Sequence, residues 1–463
     1  MENIHRIVNY LLDPEALNTD HTTPIWCLGK EYSPVPDPVE STPESHVHKQ
    51  ITTTTASAKA MFSNYFAKST NGKSLSDEAL INTLTETSRK PVTAWPASFI
   101  DCVQRKLYMT YRTDFPMIPR AASGPATLSM GSLLRGQIND RAGFTSDVGW
   151  GCMVRSGQTL LANAFALLYN ADVGSEKEKE IISWFADDPQ AQFSLHNFVY
   201  HGRMACGKYP GEWFGPSATA RCTQILCADF KQSTLRVYIG GDSGDVYEDS
   251  VWRVAGGEDQ FQATLILLGI RLGIEKITSV YYDALKYALR LPQSVGIAGG
   301  RPMSSHYFFG YQGSMFFYLD PHIHRRALPF KADISTYTDE ELNSVHTTRV
   351  RSITLDAMDP SMLIGFLVKD RDDWVNWKEA VAKFKGRQFI HIYQSEPSFG
   401  PTGLDDSHQM PSFEVNSDDP EEFEIDRDLD SPDVVVALDD DGEESLPYEE
   451  DDTEDRDFDK CGI

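Results

Sequence analysis

The sequence predicts an α+β fold. Amphipathic helical segments and apolar strand segments are intermixed, they do not follow a strict βαβ alternation, and no internal repeat is present. Apolar residues make up 41% of the 463 residues and aromatics 11%, which supports a large core and excludes a wholly disordered chain.

Taken in order, residues 1–32 open with a short amphipathic stretch (Ile7, Val8, Leu11, Leu12) and continue into Pro24-Ile25-Trp26-Cys27-Leu28-Gly29. Residues 33–93 are rich in Ser, Thr and Pro, with Pro34, Pro36, Pro38, Pro43 and a threonine run at 52–55. Such a segment buries too little apolar surface to offset its ordering entropy, so a mostly disordered insertion is expected, with Phe62 to Phe66 as a local helix. The globular body spans 94–395. Phe99 to Met109 reads as a helix, with Phe99, Val103 and Leu107 at four-residue spacing. A loop rich in Gly, Ser and Ala runs from Pro119 to Gly143. Met153 to Tyr169 is a second helix, with Leu160, Leu161, Ala164, Phe165 and Leu168 on one face. Leu235 to Ile239 and Thr264 to Ile270 read as strands, the latter apolar enough to be buried on both faces. Ile277 to Leu289 is a helix that stops before Pro292. Val295 to Ala298, His306 to Tyr311 and Met315 to Leu319 are strand-like, the last two joined by the hairpin signal Gln312-Gly313-Ser314. Met362 to Val368 adds a strand and Trp374 to Phe384 a helix.

The net charge of −26 is unevenly placed. Residues 401–463 hold 25 acidic residues against three basic ones, a net −22, so residues 1–400 carry only −4. Residues 396–463 are thus expected to be an acidic, disordered, solvated tail. This balance argues against nucleic-acid binding and against charge-driven attachment to anionic lipid. The seven cysteines are odd in number and scattered, the N-terminus lacks a signal-peptide apolar run, and no stretch approaches about 18 uninterrupted apolar residues. Free thiols in a reducing cytoplasm are expected.

Several constellations could carry chemistry. In Ser146-Asp147-Val148-Gly149-Trp150-Gly151-Cys152-Met153-Val154-Arg155 a cysteine stands where a Gly-rich approach meets a long helix. Unpaired N–H groups and the macrodipole there favour a thiolate, the nucleophilic form, and the Cys152 N–H could donate to an oxyanion. The same pattern also suits a buried structural cysteine with turn glycines. In Tyr318-Leu319-Asp320-Pro321-His322, residues two apart on an extended chain share a side, so Asp320 can orient His322. Alone, this is also an ordinary turn with an exposed His. Together with Cys152 it forms a candidate Cys–His–Asp triad. The Tyr111 hydroxyl can donate to an oxyanion, although a tyrosine at an apolar helix end is often core. Trp213, within Gly211-Glu212-Trp213-Phe214-Gly215-Pro216, suggests an exposed aromatic that clamps a peptide, or a Trp buried under a loop. Gly299-Gly300-Arg301-Pro302-Met303 reads as a flexible loop between strands, either a lid or a plain connection. No metal-ligand spacing, P-loop or dinucleotide fingerprint is found, and no cofactor or metal is expected.

Taken together these segments resemble the autophagins, the autophagy cysteine proteases. The matching stretches include Pro24 to Lys30, Thr110-Tyr111-Arg112-Thr113-Asp114-Phe115-Pro116, Thr145 to Gln158, Gly211 to Pro216, Leu291-Pro292-Gln293-Ser294-Val295-Gly296, His306-Tyr307-Phe308, Tyr318 to His322 and Met358-Asp359-Pro360-Ser361 with Gly365-Phe366. The resemblance implies a papain-like core with a small additional subdomain. It implies cleavage of a ubiquitin-like autophagy modifier after a C-terminal Gly and later release of that Gly from phosphatidylethanolamine. Under it, Cys152 is the nucleophile, His322 the base, Asp320 its orienter and Tyr111 the oxyanion-hole tyrosine. Trp213 and Pro302 would gate the groove for the substrate tail. The implied partners are the modifier, free and lipid-conjugated, with membrane contact only through the conjugate. The implied location is the cytoplasm, with the nucleus and the autophagosome assembly site also open. The rival readings are a papain-like peptidase of other specificity, such as a deubiquitinase, and an inactive module that binds the modifier.

Overall fold

A computed structural model of the chain describes residues 15–35, 95–120, 143–241, 243–301 and 304–397. The insertion from residue 36 on, the Phe62 to Phe66 helix, most of the 119–143 loop, Pro302 and the acidic tail from residue 398 lie outside the described residues.

Strands β1 (Ile25–Cys27) and β2 (Lys30–Tyr32) form a hairpin. Helix α1 (Ala97–Gln104), strands β3 (Arg112–Pro119) and β4 (Gly143–Ser146) and the long helix α2 (Cys152–Tyr169) follow. Three helices, α3 (Glu176–Trp184), α4 (Leu195–Cys206) and α5 (Pro216–Asp229), lead to β5 (Arg236–Ile239). Next come β6 (Asp245–Tyr247), α6 (Glu248–Ala255), β7 (Thr264–Arg271) and α7 (Tyr282–Arg290). Strands β8 (Ser294–Arg301), β9 (Ser304–Gln312), β10 (Met315–Leu319) and β11 (Arg325–Arg326) are followed by the short α8 (Asp339–Asn343). The described chain closes with β12 (Arg351–Thr354), β13 (Ser361–Val368), α9 (Arg371–Lys383) and β14 (His391–Tyr393).

A nine-stranded sheet runs β12-β10-β9-β8-β13-β7-β5, with β1 paired to β9 and β2 to β1. Its pairs are antiparallel except β5 with β7. Both faces are covered, which is why its strands read as continuous apolar runs. Along β13, Leu363 and Leu367 join the core that contains Leu160, Leu161 and Phe165 of α2. Met362, Ile364 and Phe366 join the opposite core, with Leu285 and Leu289 of α7 and Trp374 and Trp377 of α9. The α+β expectation holds, and the hairpin at Gln312-Gly313-Ser314 joins β9 to β10 as expected.

Three expectations are corrected. The helix expected over Phe99 to Met109 ends at Gln104. Beyond it the backbone finds partners elsewhere: Leu107 N–H donates to Asn163 Oδ1, Tyr108 N–H to the Val345 carbonyl and Met109 N–H to Thr159 Oγ1. Those bonds replace helical ones and keep the segment extended. Tyr111 therefore sits ahead of β3 rather than at a helix end. The loop expected at Gly299–Met303 is shorter, because Gly299, Gly300 and Arg301 pair with His306, Ser305 and Ser304. The helix expected from Ile277 begins at Tyr282, after a single 3-10 turn over Ser279–Tyr281.

Candidate active site

Cys152 is the first residue of α2, capped by Gly151. The approach is held by Asp147, whose carbonyl accepts the N–H groups of Trp150 (3.2 Å) and Gly151 (2.9 Å). A side chain at Gly151 would put its Cβ 2.5 Å from Asp147 Oδ2, so only glycine lets the turn close onto this carboxylate. The Asp147 side chain also accepts the Arg112 backbone N–H at 2.6 Å and pairs with Arg155 Nε of α2 at 2.6 Å. Arg155 Nη1 reaches Asp187 Oδ1 at 2.7 Å, and Asp187 Oδ2 lies 3.8 Å from Arg112 Nε. All four side chains are buried.

This quartet joins the strand that follows Tyr111 to the helix headed by Cys152. The Tyr111 N–H donates to the Pro321 carbonyl at 2.7 Å, and β11 pairs with β3 in parallel just beyond. Tyr111 is thereby set beside His322, ring edge to ring face, with centroids 5.1 Å apart. Tyr111, Val148 and Cys152 form a small buried cluster.

His322 Nδ1 faces Asp320 Oδ1 at 2.5 Å, and the His322 backbone N–H donates to the same oxygen at 3.1 Å. The other carboxylate oxygen accepts a hydrogen bond from Arg351 Nη1. His322 Nε2 lies 3.2 Å from the Ser304 hydroxyl, and the ring also hydrogen-bonds Cys152. Burial disfavours a charged Asp320, but the His322 hydrogen bond and the charges of His306, His322 and Arg351 hold its carboxyl well below the usual carboxylate range. Burial also opposes the imidazolium, yet the hydrogen bonds to Asp320 and Cys152 raise His322 to about 9. Burial pushes the Cys152 thiol up, and it is overcome by the hydrogen bond and charge of His322, the Ser305 backbone N–H and the Tyr111 hydroxyl, which pull it down. The two groups shift in opposite directions, the thiol down and the imidazole up, which favours the thiolate beside an imidazolium.

The structure brings together Cys152, Asp320, His322 and Tyr111. Trp213 is 43% exposed, and its Nε1–H donates to the Gly149 carbonyl at 2.7 Å, so it stands on the Cys152 approach loop. Pro302 lies outside the described residues. The sequence reading attached no role to Asp187, Arg351, His306 or Ser304. A signal existed for one partnership: Arg155, the one charged residue of a long helix with an apolar face, requires a carboxylate.

A thiol held below its ordinary value at a helix start, beside an imidazole backed by a carboxylate, suits the chemistry of a cysteine hydrolase. Residues 96–380 match the family model described as the peptidase C54 catalytic domain. The "probable cysteine protease atg4" of Botryotinia fuckeliana (strain B05.10) is 46% identical over 89% of this chain and 97% of that protein. That of Aspergillus oryzae (strain ATCC 42149 / RIB 40) is 47% identical over 84% and 92%. "Cysteine protease 1" of Neurospora crassa (strain ATCC 24698 / 74-OR23-1A / CBS 708.71 / DSM 1257 / FGSC 987) is 54% identical over 67% and 62%. The chain belongs to the peptidase C54 family, the autophagin cysteine proteases.

Proposed function

We propose that this chain cleaves a ubiquitin-like autophagy modifier after its C-terminal Gly and later releases that Gly from phosphatidylethanolamine. Cys152 is the nucleophile, His322 the general acid and base, and Asp320 the residue that orients it. The reading rests on one observation above all: the Cys152–His322 hydrogen bond at the head of α2, with Asp320 Oδ1 2.5 Å from His322 Nδ1.

The Cys152 thiolate attacks the Gly carbonyl carbon. The developing oxyanion takes hydrogen bonds from the Cys152 N–H and the Tyr111 hydroxyl. His322 gives its Nε2 proton to the departing amine, leaving a thioester. Water then attacks the thioester, its proton passes to His322, and the Gly carboxylate leaves with Cys152 regenerated. A peptide amide and an amide to a lipid head group follow the same course. Trp213, on the Cys152 approach loop, gates the substrate tail, the resemblance assigns Pro302 the same role, and a narrow groove suits a Gly at the cut. The proposed protease domain is residues 94–395, with residues 1–32 as an N-terminal segment on it; of that segment's described residues, Ile25–Cys27 pair with β9. No helix among the described residues is long and apolar enough to cross a membrane, and the proposed site of action is the cytoplasm.

The test is cleavage of a purified modifier that carries residues beyond its Gly, by the wild type and by Cys152→Ala. Cleavage by the wild type alone is expected. Cleavage by Cys152→Ala refutes the nucleophile.

A further inference from the structure

Asp320 occupies a demanding position. Its carboxylate is almost wholly buried at the end of β10, where an ionised group needs a cation. The groups that face it come from four directions. His322 follows in the chain and holds Oδ1. His306 of β9 brings Nε2 to 3.7 Å from the same oxygen. Tyr108, after α1, donates its hydroxyl to the Asp320 carbonyl, with Arg325 stacked over its ring at 5.7 Å. Arg351 of β12 donates Nη1 to Oδ2.

Of these partners Arg351 is the permanent cation. His322 loses its proton in each turnover, when it protonates the leaving amine. At that moment a carboxylate held by His322 alone faces a neutral ring. A guanidinium keeps its charge throughout. The placement is built into the sheet: β12 pairs with β10, with Arg351 opposite Tyr318, two residues before Asp320. The Arg351 side chain is 11% exposed, so solvent weakens the contact little. Turning the carboxylate plane would carry Oδ1 away from His322 Nδ1. A bond on Oδ2 blocks that rotation.

We propose that Arg351 is a positioning residue of this centre, which anchors Asp320 Oδ2 so that Oδ1 stays on His322 Nδ1 throughout the cycle. The proposal rests on the triad reading above. Loss of the cation would disfavour the Asp320 carboxylate and, through His322, the Cys152 thiolate.

The experiment follows iodoacetamide alkylation of Cys152 against pH in the full chain, with the site read by peptide mass mapping. It is run on the wild type, Arg351→Gln and Arg351→Lys, alongside kcat and KM for modifier cleavage. Arg351→Gln is expected to move the alkylation midpoint up by about half a pH unit or more, to lower kcat about tenfold and to leave KM unchanged. Arg351→Lys keeps the charge but loses the fork: the midpoint stays and kcat falls severalfold. A wild-type midpoint in folded Arg351→Gln overturns the proposal. If Arg351→Gln does not fold, Arg351→Lys decides, and a wild-type kcat there overturns the positioning role. A wild-type Cys152 that alkylates only near the ordinary thiol value of about 8.5 would instead refute the triad reading itself.

Discussion

Arg155 Nε meets Asp147 Oδ2 at 2.6 Å, both side chains shut off from solvent, within one turn of the thiol at the start of the same helix. Asp187 and Arg112 complete the set, two cations against two anions. The arrangement does two jobs. It ties the Tyr111 strand to the Cys152 turn, and it cancels the charge of a carboxylate five residues before the thiol. An uncompensated Asp147 there would oppose a thiolate.

Removing one member of such a set costs more than the set contributes, because it strands a buried partner. Asp147→Asn preserves shape and removes one charge, which leaves Arg155 and Arg112 facing Asp187 alone. The expected loss is about 3–5 kcal/mol in urea unfolding at an unchanged m-value. A loss within 1 kcal/mol of zero would show that the network tolerates the missing charge.

The opposed shifts of Cys152 and His322 shape the pH profile. Against the downward pull of burial, the Asp320 and Cys152 partners set His322 at about 9, above its ordinary value of 6.5, while Cys152 lies below its ordinary 9.0. In the proposed mechanism His322 must be protonated to release the amine. The kcat/KM of the wild type should therefore hold steady through neutral pH and fall as pH rises through about 9. The same sign holds for stability: the contribution from His322 is complete below 6.5 and is lost as pH rises through about 9. A profile already falling between pH 7 and 8 would contradict the ion pair.

Tyr111 offers its hydroxyl at the sulfur and its ring against His322. Tyr111→Phe keeps the ring contact and deletes the donor. If the hydroxyl serves the oxyanion, kcat falls about 100-fold, KM changes little and the melting temperature holds. A drop in melting temperature with kcat intact would assign Tyr111 to the core instead.

The site was legible in the sequence where its chemistry is local. Asp320 and His322 are two residues apart on an extended chain, and Cys152 opens a helix with a plain apolar face. Long-range partnerships were not legible. Asp187 lies 32 residues from Arg155, and Arg351 lies 31 from Asp320. Nothing in composition joins them; the fold does. Helix α5 escaped for a different reason. It buries Thr219, Ala220, Cys222, Thr223, Leu226 and Cys227, and with Leu226 the one large apolar side chain among them the hydrophobic period is weak. The early end of α1 also depended on distant groups, since Asn163, Thr159 and Val345 supply the bonds that keep residues 107–109 out of a helix.

The distance between α2 and the sheet sets where Cys152 stands, and Gly365 fixes that distance. A Cβ at this position of β13 would lie 2.6 Å from Val295 Cγ2 and 2.9 Å from Leu160 Cδ2. Leu160 belongs to α2 and Val295 to β8, so relief means repacking these side chains at the buried seam between the helix and the sheet. Gly365→Ala should destabilise the protein by about 1–3 kcal/mol through overpacking. It should also slow alkylation of Cys152, because α2 shifts relative to His322. Gly269 on β7 provides the control. Its added Cβ would approach nothing nearer than Ser217 Oγ at 3.5 Å, an ordinary contact. Gly269→Ala should leave the melting temperature and the alkylation rate near wild type. Equal behaviour of the two variants would mean that α2 is not seated by Gly365, and that Cys152 is positioned by the Asp147 network alone.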